Sequence, residues 1–185
     1  MQRHWRWGSA LLLSALSTAA AADSLDINLH DEAMRISFAV SPPARRGLEM
    51  ELGHYFNEGD QSITHLGLQV SGENWSKSGV FDIGMGGRIV YVKADPLDEA
   101  ALAIGARVRF SPVQRVGFGG SIYYAPKIVT FLDGEDYQEF SLSVDYQVLP
   151  QAFVYVGYRN IEVDFEDVAD VEFDDEVHLG MRIAF

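Results

Sequence analysis

In several segments of this sequence every second residue is charged or polar, while the residues between them are apolar. Arg35, Glu49, Glu51, Asp82, Arg88, Arg107, Arg109, Glu139, Asp145, Glu176 and Arg182 all occupy such positions, with His65, Gln69 and His178 among them. Both signs occur in similar number. If the apolar residues face lipid, these groups crowd a narrow interior, where an ion is tolerated only with a partner. Two chemistries fit. Arginine–carboxylate bridges would fill the centre and fix strand register, or the same groups would ring a small aqueous path and select solutes by charge.

Catalysis is poorly provided for. His30, His54, His65 and His178 are the histidines beyond residue 22, and no serine of the nucleophile-elbow type stands beside any of them. His54, near acidic residues at the top of its strand, is the one candidate for a rim His–Asp pair of the kind used by barrel hydrolases. No catalytic residue and no cofactor is therefore assigned. The run Asp164, Glu166, Asp167, Asp170, Glu172, Asp174 and Asp175 is rich in oxygen and suits Ca2+ or Mg2+, which could bridge to lipopolysaccharide phosphates. It lacks the glycine-containing loop of a dedicated calcium site. Asp167, Asp170, Asp174 and Asp175 thus stay candidates, and no metal site is assigned.

These residues need elements of period two to place them. Leu25, Ile27 and Leu29 alternate with Asp26 and Asn28; Met34, Ile36, Phe38 and Val40 follow across a tight turn at 30–32. The pattern repeats through Leu48–Leu52, Thr64–Val70, Phe81–Tyr91, Leu102–Phe110, Val116–Tyr124, Phe140–Val148, Ala152–Phe165 and Glu176–Phe185. Near Tyr158–Ile161 the alternation changes phase, which suggests a bulge in that strand. Ten short segments of this kind predict an all-β fold: a closed antiparallel up-and-down transmembrane β-barrel, or eight strands if the first hairpin packs outside it.

The amino terminus points to the same compartment. Arg3, His4 and Arg6 precede an apolar stretch from Gly8 to Leu16, too short to span a bilayer, and Ala20–Ala22 offer a cleavage site. Residues 1–22 read as a signal peptide and 23–185 as the barrel. Loss of Arg3 and Arg6 leaves the exported chain two charges more negative than the −13 of the full sequence. Such acidity argues against nucleic acid. There is no cysteine, so stability must come from packing or a closed hydrogen-bonded sheet.

Sorting the connections by parity separates short turns (41–46, 72–79, 111–115, 149–151) from mostly longer, acidic loops (57–61, 93–99, 126–136, 166–175). Aromatics gather near both strand ends. Tyr55, Phe56, Tyr91, Tyr124, Tyr137 and Tyr158 are expected in a loop-side girdle, and Trp75, Phe110, Tyr146, Phe153 and Phe185 in a turn-side one. A soluble periplasmic barrel, with its apolar rows turned inward, is the alternative architecture.

The last segment, VHLGMRIAF, sets Val177, Leu179, Met181, Ile183 and Phe185 on one face. It resembles the C-terminal strand of bacterial outer-membrane barrels, where a terminal Phe is read by the barrel-assembly machinery. Met181, Ile183 and Phe185 would be that signal. Through DSLDINL, GGSIYYAPKIVTFLDGEDYQEF, VYVGYRNIEVDF and the closing Phe, the chain also resembles the YfaZ family of small exported proteins over nearly its full length. The resemblance implies an outer-membrane or porin-like protein. The expectation is a monomeric structural barrel or narrow channel for small solutes in a Gram-negative outer membrane. Its partners would be lipid, lipopolysaccharide, periplasmic chaperones and the assembly machinery; a lipid- or peptide-processing barrel enzyme is the alternative activity.

Overall fold

The computed structural model describes residues 23–185, apart from 44, 46, 60, 77, 95–96, 133 and 166–167, and only the backbone of 168–171. The expected signal peptide, residues 1–22, lies outside the described residues. The strands are β1 (Ser24–Leu29), β2 (Ala33–Val40), β3 (Leu48–Asn57), β4 (Ser62–Ser76), β5 (Gly79–Ala94), β6 (Leu97–Val113), β7 (Val116–Ala125), β8 (Thr130–Leu132), β9 (Gly134–Leu149), β10 (Ala152–Phe165) and β11 (Val168–Ala184). Consecutive strands pair antiparallel from β1 to β7, β7 pairs with β9, and β11 returns to β1. Ten strands thereby close a barrel, and the first hairpin stands in its wall. Closure matters because lipid offers no partner for an unpaired backbone group. β8 is a three-residue addition that pairs with Glu99–Ala101 of β6, where β7 has already ended.

The apolar rows lie outside. Leu66, Met85, Ile104 and Leu179 are 49 to 69 % exposed, whereas Arg88 and Glu139 are 6 and 2 % exposed. Such a surface belongs in lipid, so the soluble alternative does not hold. Inward glycines make room for large inward side chains of the next strand. A Cβ on Gly53 would lie 2.2 Å from the His65 ring, and one on Gly180 would lie 2.1 Å from the Tyr155 ring. Asp23, the first described residue, and Phe185 meet at the turn end, where the amide of Phe185 donates to the carbonyl of Asp23 (2.9 Å). Gly47, at φ +81°, makes one turn possible; a Cβ there would strike the Ser71 carbonyl.

Several expectations need correction. The acidic segment 166–175 is mostly strand, since β11 begins at Val168. Its alternating residues keep the ladder going beyond the apolar band. The connection at 126–136 holds a 3-10 turn (Lys127–Val129) and β8, and at 93–99 the ladder runs to Ala94 and resumes at Leu97. β4 likewise extends to Ser76 into the expected 72–79 turn. β10 keeps one phase throughout, with Arg159, Ile161, Val163 and Phe165 all buried. The bulge is across the ladder in β11, where Ile161 faces Asp174 and Glu162 faces Glu172, leaving Phe173 as the extra residue.

The girdles are also thinner than expected. Phe56, Tyr91, Tyr124, Tyr146 and Phe185 are exposed, and Phe110 stacks on Phe81 with ring centroids 4.3 Å apart. Tyr55 and Tyr137 are instead inside the barrel, 3 and 1 % exposed. Phe153 faces inward too, under the Arg109 guanidinium. Trp75 pairs with Val80 on the inner row, and it is 76 % exposed where the β4–β5 hairpin projects past the wall.

Candidate lumen site

Alternation turns one row of each strand into the lumen, and three layers result. The middle layer is an ionic belt. Glu139 of β9 accepts from Arg35 of β2 through one oxygen (2.8 Å) and from Arg88 of β5 through the other (2.7 Å); the Tyr137 hydroxyl donates to the second oxygen as well (2.9 Å). Glu51 of β3 completes the set, 2.9 Å from His65 Nε2 and 3.8 Å from both arginines. Two guanidinium groups therefore face two carboxylates from four strands. Arg88 also lies flat over the Tyr123 ring, 3.5 Å from its centroid. Charge-assisted, bridging contacts of this kind are short and directional, and loss of one member strands the others.

Toward the turn end the lumen opens into a cavity of about 330 Å³. Arg107 pairs with Glu49 (2.8 Å), Arg109 grips both oxygens of Asp145 (2.5 and 3.1 Å), and Arg182 pairs with Asp26 (3.0 Å). Asp82 lines the same wall opposite Arg109 in register, without an ion pair among the described residues. Hydroxyls fill the far wall, where Ser121 and Ser141 meet at 2.8 Å. Six arginines and seven carboxylates line the cavity in all. Its walls are highly polar yet nearly neutral.

Toward the loop end the lumen is closed. Tyr55, Ile63, Val92, Val163, Phe165 and Phe173 belong to one cluster of side chains, each at most 5 % exposed, that fills the barrel. The Tyr55 hydroxyl donates to the carbonyl of Phe173 at the bulge (2.8 Å), which ties β3 to β11 across the plug. Beneath it Arg159 pairs with Asp174 (2.6 Å) and donates to Asn28 (3.0 Å).

Of the interior residues expected from sequence, Arg35, Glu49, Glu51, His65, Arg88, Arg107, Arg109, Glu139, Asp145 and Arg182 come together in these ion pairs. Gln69 meets the Tyr123 hydroxyl, and His178 packs edge-on against Tyr155. Glu176 stands opposite Arg159 in register, on the row of Asp174 and His178, and its side chain is exposed. Asp174, weighed as a metal ligand, is spent on Arg159, and Asp175 accepts the Tyr158 hydroxyl instead. Asp167 and the Asp170 side chain lie outside the described residues. Among the described residues His54 has no acidic partner; its Nδ1 bonds the Thr64 hydroxyl (2.9 Å) on the outer face. Sequence reasoning missed the Arg159–Asp174 pair and the plug. Ile161, Val163 and Phe165 keep the parity of Arg159 along β10, and that was the signal available for the plug.

A closed antiparallel barrel with apolar rows outside and paired ions within defines an outer-membrane, porin-like class of protein. The family model described as YfaZ precursor matches residues 2–185, and the chain belongs to that family. No curated protein matches the sequence. Among solved structures it is similar to the KdgM porin in complex with disordered oligogalacturonate, at TM-score 0.50 and 11 % identity over 88 % of this chain and 98 % of that one. A second KdgM porin structure gives 0.47 and 10 % over the same shares. The outer membrane channel DcaP of Acinetobacter baumannii gives 0.41 and 13 %, over 86 % of this chain and 54 % of that one. At these identities the likeness is one of fold.

Proposed function

We propose that this protein is a porin-like barrel of a Gram-negative outer membrane that rests in a sealed state, structural by default, with a vestibule that admits small solutes from the turn end. The observation that carries the reading is the change of lumen filling along the axis: a polar cavity, then an ionic belt, then an apolar plug. In this reading residues 1–22 are cleaved on export, the turn end faces the periplasm, and the outward rows contact lipid and lipopolysaccharide. Chaperones and the assembly machinery engage the chain through Met181, Ile183 and Phe185, whose row faces lipid next to the β1 seam. His54, the candidate for a barrel hydrolase, is engaged with the Thr64 hydroxyl on the outer face.

A narrow channel is the second reading, favoured by the mixed-charge vestibule. One structural neighbour was solved with oligogalacturonate, a polyanion. Six arginines set against seven carboxylates give this vestibule no excess of positive charge for such a solute, so its walls favour small neutral or dipolar molecules. Planar-bilayer recording at about pH 6 tests the proposal. Wild type is expected to be almost silent, and Phe165→Ala is expected to give discrete conductance steps. Steady steps from the wild type at that pH would contradict the sealed state.

A further inference from the structure

Glu99, near the loop end of β6, takes no part in the belt or the vestibule. It is completely buried, and neither carboxylate oxygen has a hydrogen-bond partner among the described residues. Its neighbour Asp98 faces outward opposite Lys93, so Glu99 stands level with exterior charges and beyond the apolar band. Val92 of β5 and Leu132 of β8 are its register partners. Gly134 at the start of β9 presses on the carboxyl so closely that a Cβ there would lie 2.3 Å from Oε2.

Among the described residues, the charges that act on it from the neighbouring strands, Asp136 of β9 and Asp164 of β10, are both acidic. Burial, and then these two like charges, push the Glu99 carboxyl up to about 8 from an ordinary 4.5. Among the described residues no set of three or more His, Asp or Glu side chains converges as metal ligands.

A second observation lies on the other side of the same pairing. Leu132 has φ +69°, a left-handed conformation that a non-glycine residue adopts only when its surroundings impose it. β8 is held by its short ladder to Glu99–Ala101 and by the Thr130 hydroxyl, which reaches the carbonyls of Lys127 and Glu135 (3.0 and 2.9 Å). A strained three-residue strand thus rests on a carboxyl that has no hydrogen-bond partner among the described residues.

We infer that Glu99 is a proton-operated latch on the outer closure. When neutral it lets Thr130–Leu132 stay paired to β6 beside the plug; when ionised it releases that segment and loosens the plug. The inference rests on the sealed-barrel reading above. The sign follows from linkage. An acid whose value is raised in the closed state stabilises that state fully below about 4.5, progressively less as pH rises, and no less once pH passes about 8.

The test is conductance of the reconstituted mature protein in steps from pH 5 to pH 9. The ratio of open to closed time is expected to rise by up to about tenfold per pH unit through the window and then level off. Glu99→Gln is expected to stay closed throughout. Gly134→Ala, which crowds the same carboxyl from its seat, is expected to open at pH 5. A wild type that is flat and closed, while Phe165→Ala conducts at pH 5, overturns the latch and leaves the seal standing. A wild type that conducts equally at both extremes overturns the seal itself. A rise that survives in Glu99→Gln, or one abolished by EDTA, also overturns the latch.

Discussion

The two halves of this lumen are built from the same strands and the same inward rows, yet one is a polar cavity and the other is packed like a protein core. β5 shows the contrast along a single row: Asp82 and Arg88 toward the turn end give way to Val90, Val92 and Ala94, all at most 9 % exposed. β10 does the same from Tyr155 and Arg159 to Ile161, Val163 and Phe165. The fold therefore specifies only which residues face inward. Whether a segment of the lumen holds water or excludes it depends on the side chains on that row, and here the switch coincides with the Arg35–Glu139–Arg88 belt.

The belt is where the contrast is most costly to break. Glu139→Ala leaves two buried guanidinium groups without their shared carboxylate and is expected to lower stability by about 3–5 kcal/mol, read from urea unfolding in lipid. Phe165→Ala is expected to cost about 3 kcal/mol, as buried aromatic truncations do, and also to open the loop end. Gly53→Ala drives a methyl group into the His65 ring and should cost about 1–3 kcal/mol without conductance, since His65 lies in the belt and not the plug. Trp75→Phe should leave stability within about 0.5 kcal/mol, because the side chain is on the projecting hairpin. With residues 1–22 removed Trp75 is the sole tryptophan. Its emission is expected to be water-like and quenched by iodide rather than by brominated lipid.

The lipid-facing half of the barrel was plain in the sequence because period two is unbroken on that side: Leu66, Leu68 and Val70 admit one orientation once their neighbours are polar. The lumen was legible only where it is polar. Where the inward row of β10 becomes apolar, its outward residues Asn160, Glu162 and Asp164 are polar, so the alternation inverts, which is why Ile161 and Val163 looked like a change of phase. Tyr55 and Tyr137 were misplaced in the girdle for a related reason. An aromatic near a strand end suits either face, although Tyr55 shares its phase with Glu51 and Tyr137 with Glu139. The Arg159–Asp174 pair depends on the extra residue Phe173 in β11, and no pattern within either strand reveals that register.

Single-cysteine labelling from the aqueous phase tests the division of the lumen most directly, since the chain has no cysteine of its own. At about pH 6.5, Ser121→Cys in the vestibule should react with a small water-soluble maleimide, while Val92→Cys in the plug should stay protected until the barrel unfolds. Equal and rapid labelling at both positions would mean that water runs the full length of the lumen, and the account of a barrel sealed at one end would be wrong.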